Sequence, residues 1–478
     1  FIECGSIADA ESLFLKLDYP NEHSWTSMII GYVQYGHFQD ALELYEEMQN
    51  RNVYPTSHTV LSILKACARL GRVVKGREVH SEIARLGLDS DTEISNVMVG
   101  MYARCGFLEQ AEEVFDRLLV QNVVAWTGLI SGYAEYGPFE KALEYFEHMY
   151  LARVPPNAFT FACILKACGC ILCIDKGREI HSDIVAKGLE TNHFIANSLV
   201  SMYAKCGSLF DAQEAFNNLS HRDVVTWTAL IAGYADYGPA EEALKCYDEM
   251  QLECISPNMV TVICALKACG SLRAIEKGKE IHMNVKEDEL KYDVALGNSL
   301  IGMYSQCGLM SKAHEVFQTL LSRDEVSWTT LIAGYAELEQ GTEALSCLEE
   351  MQREDLSPDV VTFICILKVC GSTRAIEKGK QIHEEIMTRD LLEKDVELGN
   401  ALVDMYVKCS KLAKAQQVLE RLPIRDVVSW NAMISGYAQH GEVDKALNCF
   451  ERMQLEAISP DFVTFICILK ACANMGDA

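Results

Sequence analysis

The chain has 478 residues, 42 Lys+Arg against 68 Asp+Glu and a formal net charge of −26, and it is 49% hydrophobic and 23% charged. This is a globular composition that excludes intrinsic disorder, and no apolar run approaches the roughly 18 residues of a membrane-spanning helix. The acidity argues against a generic polyanion binder, and the length implies several domains or one repeat array. The 20 cysteines do not read as the disulfide framework of a small secreted domain in so long a chain. The sequence starts at Phe1 without Met and shows no signal or transit peptide, so a fragment or processed chain is expected.

An internal repeat decides the architecture. Trp25, Trp126, Trp227, Trp328 and Trp430 lie 101, 101, 101 and 102 residues apart. Pro55, Pro156, Pro257, Pro358 and Pro460 keep this spacing, as do Gly-Tyr pairs at Gly31, Gly132, Gly233, Gly334 and Gly436. In chain order, a partial unit over 1–21 is followed by units of 35, 35 and 31 residues at 22–56, 57–91 and 92–122. The pattern returns at 123–157, 158–192 and 193–223, and again at 224–258, 259–293 and 294–324. It closes with 325–359, a 36-residue unit 360–395, then 396–426, 427–461 and a partial unit 462–478. The whole chain is one array of thirteen complete units.

Each unit reads as two helices. In 226–238, Trp227, Leu230, Ile231 and Tyr234 fall on one helical face, with Thr226 the expected N-cap and Gly238-Pro239 the turn. Ala243, Leu244, Tyr247 and Met250 line a second helix, which Ile255-Ser256-Pro257-Asn258 breaks. One such hairpin cannot cover its apolar face, so neighbours must stack. The predicted class is all-α, an α-solenoid of helix-turn-helix repeats.

The units carry recurrent signatures: Val-Val-Ser-Trp-Asn-Ala-Met-Ile-Ser-Gly-Tyr at 427–437, Ile-Leu-Lys-Ala-Cys at 164–168 with Gly-Arg-Glu-Ile-His at 177–181, and Asn-Ser-Leu-Val-Ser-Met-Tyr-Ala-Lys-Cys-Gly at 197–207. In these signatures and in the alternation of lengths the chain resembles the plant pentatricopeptide repeat (PPR) proteins of the PLS subclass, whose P, L and S motifs would be the long, middle and short units. The resemblance implies a right-handed superhelix that binds single-stranded RNA at one base per motif, read by the fifth and last residues.

Carried onto this sequence, the resemblance makes Thr127/Asn157, Thr228/Asn258, Thr329/Asp359 and Asn431/Asp461 the reading pairs of the P motifs. Those of the S motifs are Asn96/Asn122, Asn197/Asp223, Asn298/Asp324 and Asn400/Asp426. Thr with Asn implies adenine, Thr with Asp guanine, Asn with Asp uracil and Asn with Asn cytosine. Thr26/Thr56 fits no standard pair, and the L motifs have apolar fifth residues, Leu61, Ala162, Ile263, Ile364 and Ile466. The implied target is 5′-NNCANUANUGNUU-3′. On the alternative reading the terminal Asp and Asn only cap turns. At second positions, Phe159, Val225, Val260, Val326, Val361 and Val428 would flank bases as apolar wedges, or would be ordinary core, while Glu93 and Glu397 depart from the pattern. Arg104, Lys205 and Lys408 could approach phosphates or be solvated surface cations; Gln306 breaks their set, and Glu135, Asp236 and Glu337 place acid on the same first helices.

Rival chemistry is expected to fail. Cys168, Cys170 and Cys173 suggest zinc, but Cys168 repeats a position shared with Cys67, Cys269, Cys370 and Cys472, and Cys4, Cys105, Cys206, Cys307 and Cys409 form a second ladder. Packing thiols are the better reading. His80-Ser81-Glu82 and His383-Glu384-Glu385 match the H-x-E of zinc deaminases, yet His80, His181, His282 and His383 recur in every L motif, and Gly169 rather than proline precedes Cys170. No phosphate loop or nucleophile elbow appears, so no catalytic residue, metal or cofactor is expected in this chain. The resemblance further implies a mitochondrial or chloroplast RNA partner, site selection for C-to-U editing, and editing accessory proteins or a deaminase acting from elsewhere. The alternatives are a protein-binding helical scaffold resembling a tetratricopeptide array, or RNA processing or stabilisation without editing.

Overall fold

The computed structural model describes residues 6–17, 19–88, 91–219, 221–392 and 395–476. These form twenty-nine α-helices and, among the described residues, no strand. Cys4 lies outside the described residues. Contacts divide the chain into a first body, 1–239 with 249–256, and a second, 240–248 with 257–478. Within the first body, the opening helices of successive units stack: Thr92–Arg104 packs on Val123–Tyr136, which packs on Ala158–Cys170. Within the second, Val294–Gln306 packs on Glu325–Glu337. No helix is long and apolar enough to cross a membrane, among the described residues.

The tryptophans that define the period are the core of the hairpin stack, each at most 4% exposed. Four of them receive the edge of an aromatic ring from the unit before: Phe14 on Trp25, Phe115 on Trp126, Phe216 on Trp227 and Phe317 on Trp328, with ring centres 4.5–4.9 Å apart. Such pairs add about 0.5–1.5 kcal/mol each beyond area burial. The glycines of four of the Gly-Tyr pairs are there for close approach. A Cβ at Gly132, Gly233, Gly334 or Gly436 would stand 2.6–2.7 Å from the side chain of Ala103, Ala204, Ser305 or Val407 on the preceding first helix.

One expectation about helix ends is corrected, and a break expected at 255–258 is found there. The helix containing Trp227 starts at Val224 and its N-cap is Asp223, not Thr226. The Asp223 carboxylate accepts from Thr226 N–H at 2.9 Å, and Thr226 Oγ1 lies 3.0 Å from the Asp223 amide, so Thr226 is the second half of a capping box. The following helix ends at Leu252, ahead of Pro257. There Cys254 takes a left-handed φ of 58°, and Ile255 N–H donates to the Met250 carbonyl at 3.1 Å. Asn52, Arg153, Asp355 and Ala457 repeat this turn with φ of 55–58°.

Candidate nucleic-acid interface

The residues expected to close each complete 35- or 31-residue unit of the first and third kind are N-caps of the helix that follows. Thr56, Asn122, Asn157, Asp223, Asn258, Asp324, Asp359 and Asp426 all hold the first-turn amides of the following helix, and Asp461 accepts from Thr464 N–H at 2.8 Å. Short side chains with an acceptor oxygen are what a helix start demands. Capping explains why Asp and Asn stand there, but it does not exhaust their bonds.

Many of these caps also hold the fifth residue of their own unit. Asn298 Nδ2 donates to Asp324 at 3.2 Å, Asn400 Nδ2 to both oxygens of Asp426 at 3.1 Å, and Asn431 Nδ2 to Asp461 at 3.0 Å. Asn197 Nδ2 donates to Asp223 at 3.1 Å. Thr329 Oγ1 reaches Asp359 at a long 3.5 Å, and Thr26 Oγ1 stands 3.3 Å from Thr56 Oγ1. Thr127 meets Asn157 only indirectly: its hydroxyl is 2.7 Å from that of Thr160, which donates to Asn157 Oδ1 at 3.0 Å. Thr228 turns its hydroxyl to its own helix, donating to the Val224 carbonyl at 2.6 Å. Thr228 lies in the first body and Asn258 in the second. No hydrogen bond joins Asn96 to Asn122 among the described residues.

The S-unit asparagines share a further property. Oδ1 of Asn96, Asn197, Asn298 and Asn400 is buried and, among the described residues, accepts no hydrogen bond. In the P unit the equivalent atom is satisfied, since Thr464 Oγ1 donates to Asn431 Oδ1 at 2.7 Å. A buried acceptor without a donor is costly, by about 1–3 kcal/mol, and here that cost recurs at one register position.

The caps are also strong carboxylates. Burial alone would raise Asp324 and Asp426, but hydrogen bonds from Ser327 with Asn298, and from Ser429 with Asn400, outweigh it and hold both below the usual carboxylate range. Both are therefore anionic acceptors at neutral pH.

Beside the pairs, Phe159, Val225, Val260, Val326, Val361 and Val428 are 51–55% exposed, so the core reading of these residues is wrong. They are apolar side chains held in solvent next to polar pairs. Glu93 and Glu397 are also exposed. The structure adds Val124, Phe194 and Val463, exposed at second positions of units 123–157, 193–223 and 462–478. A cavity of about 600 Å³ in the first body brings Asn96, Thr127, Asn157 and Phe159 together with Arg104 and Lys65. A second, of about 380 Å³, joins Phe159, Asn197 and Val225 to Lys205 and Lys166. Arg104 and Lys205 are exposed and have no ion-pair partner among the described residues, whereas Lys408 is held by Asp404 at 2.8 Å. Glu135 is paired with Lys166, the lysine of the 164–168 signature.

Residues 20–69, 121–170, 222–271, 323–372 and 425–474 match the PPR repeat family, and 94–123, 194–224 and 298–324 match the PPR repeat. The chain belongs to the pentatricopeptide repeat family. A chloroplastic pentatricopeptide repeat-containing protein of Arabidopsis thaliana is 34% identical over 475 residues, covering 99% of this chain and 77% of that protein. Another from the same plant is 33% identical over 478 residues, covering all of this chain and 69% of its own length. The fold is shared with the crystal structure of maize PPR10, with a TM-score of 0.58 and 18% identity over 97% of this chain and 73% of that one. The structure of PPR10 in complex with an 18-nt psaJ RNA element gives the same TM-score at 15% identity, over 98% and 85% of the two chains.

The other repeated residues of this PPR array have structural partners. His80, His181, His282 and His383 each place Nδ1 2.8–2.9 Å from the hydroxyl of Tyr102, Tyr203, Tyr304 or Tyr406 in the next motif. Cys67, Cys168, Cys269 and Cys370 are fully buried, and burial pushes each thiol up to about 12. The second ladder meets the first: the thiols of Cys105, Cys206 and Cys409 donate to the carbonyls of Cys67, Cys168 and Cys370 at 3.5–3.9 Å. Cys472, read from the sequence as a member of the packed ladder, is instead exposed. Cys170 is exposed too, and no group of three or more His, Cys, Asp or Glu suited to a metal occurs among the described residues.

Proposed function

We propose that this chain binds single-stranded RNA in a sequence-specific manner, one base per motif, with motifs bounded as 22–56, 57–91, 92–122 and onward through 427–461. The observation that carries this reading is the bonded pair of fifth residue and cap, repeated at Asn298/Asp324, Asn400/Asp426 and Asn431/Asp461, with an exposed apolar side chain beside it. A base edge needs donors and acceptors fixed in direction, and its face needs an apolar surface. A peptide-binding groove has no need for that alternation. The PPR10 complex with an RNA element supports RNA as the ligand class.

On this reading the implied target is 5′-NNCANUANUGNUU-3′, with Phe159, Val225, Val260, Val326, Val361 and Val428 flanking bases, and Arg104 and Lys205 the cations nearest to backbone phosphates. Affinity comes mainly from base contacts and a local basic track, so its salt dependence is shallow. Site selection for C-to-U editing in a plant organelle, with a deaminase or accessory proteins supplying the chemistry, is the biological role we assign, and the chloroplastic relative favours an organelle. The test is a gel shift of the predicted 13-mer against a scrambled RNA of the same composition. Preference for the predicted RNA is expected; equal binding, or none, overturns the reading in favour of a protein-binding scaffold.

A further inference from the structure

The motifs 193–223 and 294–324 end in the same Asn/Asp pair, yet their carboxylates are not in the same state. In Asp324 one oxygen, Oδ1, takes the entire load: Ser327 N–H and Oγ–H at 2.8 Å each and Asn298 Nδ2 at 3.2 Å. Asp461 is arranged alike, with Thr464 N–H at 2.8 Å and Asn431 Nδ2 at 3.0 Å on Oδ1, while the Thr464 hydroxyl, which donates to Asn431 Oδ1, lies 2.9 Å from the same oxygen. Oδ2 of Asp324 and of Asp461 accepts nothing among the described residues. In Asp223 the cap bonds from Thr226 again use Oδ1, at 2.9 and 2.7 Å. Its Oδ2, however, is taken by His193 Nε2 at 2.7 Å and by Asn197 Nδ2 at 3.1 Å. His193 Nε2 also lies 3.4 Å from Asn197 Nδ2, so the ring closes over both members of the pair.

His193 stands at the first position of its motif, where the other 31-residue motifs have Thr92, Val294 and Val396. Neither valine can donate a hydrogen bond. The side chain is 42% exposed, and the His221 ring lies beside it with centres 6.4 Å apart. Asp223 is accordingly the most committed of these carboxylates: burial would raise it, but Thr226, His193 and Asn197 together hold it far below the usual range.

We propose that His193 is a specificity-determining residue that occupies, on Asp223, the acceptor that a base edge bearing an N–H donor uses at Asp324. This rests on the reading of one base per motif. It makes motif 193–223 a weakly discriminating site in spite of its Asn/Asp pair, because a uracil-type N–H must displace an imidazole that a cytosine need not displace. At motif 294–324 the same N–H meets a free oxygen.

The experiment measures dissociation constants for RNAs carrying U or C at the sixth base, and separately at the ninth, with the wild-type chain and with His193→Val and Val294→His. The expected wild-type result is U over C by about tenfold at the ninth base, the value of one hydrogen bond to a charged group, and by less than about threefold at the sixth. His193→Val, which installs the residue found at 294 and 396, raises discrimination at the sixth base to the level of the ninth. Val294→His lowers discrimination at the ninth. Equal discrimination at both bases in the wild type, or no change at either base in the exchanged variants, overturns the proposal while leaving base reading intact. Absence of discrimination at both bases, with the predicted RNA bound no better than a scrambled one, removes the reading beneath it.

Discussion

The hydroxyls of Thr329 and Thr362 lie 2.6 Å apart and share one hydrogen bond. Thr362 also donates to Asp359 Oδ1 at 2.7 Å through Oγ1 and again through its amide. A residue 33 positions away thus ties the fifth residue of the motif to its cap. In motif 427–461 the same place is held by Thr464, whose hydroxyl donates to Asn431 Oδ1 while Asn431 Nδ2 donates to Asp461.

An asparagine at 329 therefore finds both of its partners already in position. Thr329→Asn is expected to leave the fold intact and to move base preference at the tenth nucleotide from G toward U, by a factor on the order of ten, the scale of one directed base contact. Binding to four RNAs that differ only at that nucleotide checks it, and an unchanged order of preference would refute the assignment of the pair.

Glycines on neighbouring turns of one helix should respond in opposite ways. A Cβ on Gly132 would lie 2.7 Å from Ala103 Cβ and 3.1 Å from Ala103 Cα, so backbone must move. A Cβ on Gly128 would lie 3.4 Å from Gly100 Cα, an ordinary contact, and Ala229 and Ala432 already stand at the equivalent register. Gly132→Ala is expected to cost about 1–3 kcal/mol, and Gly128→Ala to be neutral or to gain up to about 1 kcal/mol from helix propensity. Urea denaturation of the two variants makes the comparison; equal stabilities would show that helix spacing here is not limiting.

The period, the two-helix unit and the all-α class were legible because tryptophan, glycine and proline recur at fixed offsets, each with a local physical reason. The residue types and register of the helix caps Asn122, Asp223, Asp324 and Asp426, and of the asparagines that face them, were legible as a recurring pattern. What escaped was long-range: the Thr362 hydroxyl that serves Thr329, and the His193 ring that reaches Asp223 across thirty residues. Thr226 was misplaced as an N-cap because sequence alone does not say which of Asp223 and Thr226 opens the helix when each bonds the other. The left-handed turn at Cys254 was hidden because it uses a residue type that seldom marks one.

The cysteines should divide sharply by reactivity. Cys170, Cys254 and Cys472 are exposed. Cys168, Cys269 and Cys370 are fully buried, and burial raises their thiols to about 12, which leaves almost no thiolate. Brief alkylation at neutral pH, read by mass spectrometry, is expected to modify the first three and to spare the second three until denaturant is added. Rapid native labelling of Cys269 or Cys370 would contradict the packing described for this ladder.

The histidine ladder gives stability a pH dependence of definite sign. Burial lowers His181, His282 and His383 below their ordinary 6.5; Lys312 adds to this at His282, as Lys414 and Arg421 do at His383. The folded chain therefore keeps these rings neutral over a range where the unfolded chain protonates them. The unfolded state binds more protons there, so stability rises with pH through that range and is lost as pH falls below about 6.5, levelling off once the folded rings titrate. The depressed cap aspartates Asp324 and Asp426 act in a separate, lower window, where stability present above the ordinary 3.8 is lost as they take up protons. Thermal midpoints are thus expected to fall between pH 7.5 and 5.5 in the wild type. They should fall less in a variant with His181, His282 and His383 all changed to Gln, which can still bond to the tyrosine hydroxyls. An equal fall in both proteins would place the proton uptake elsewhere.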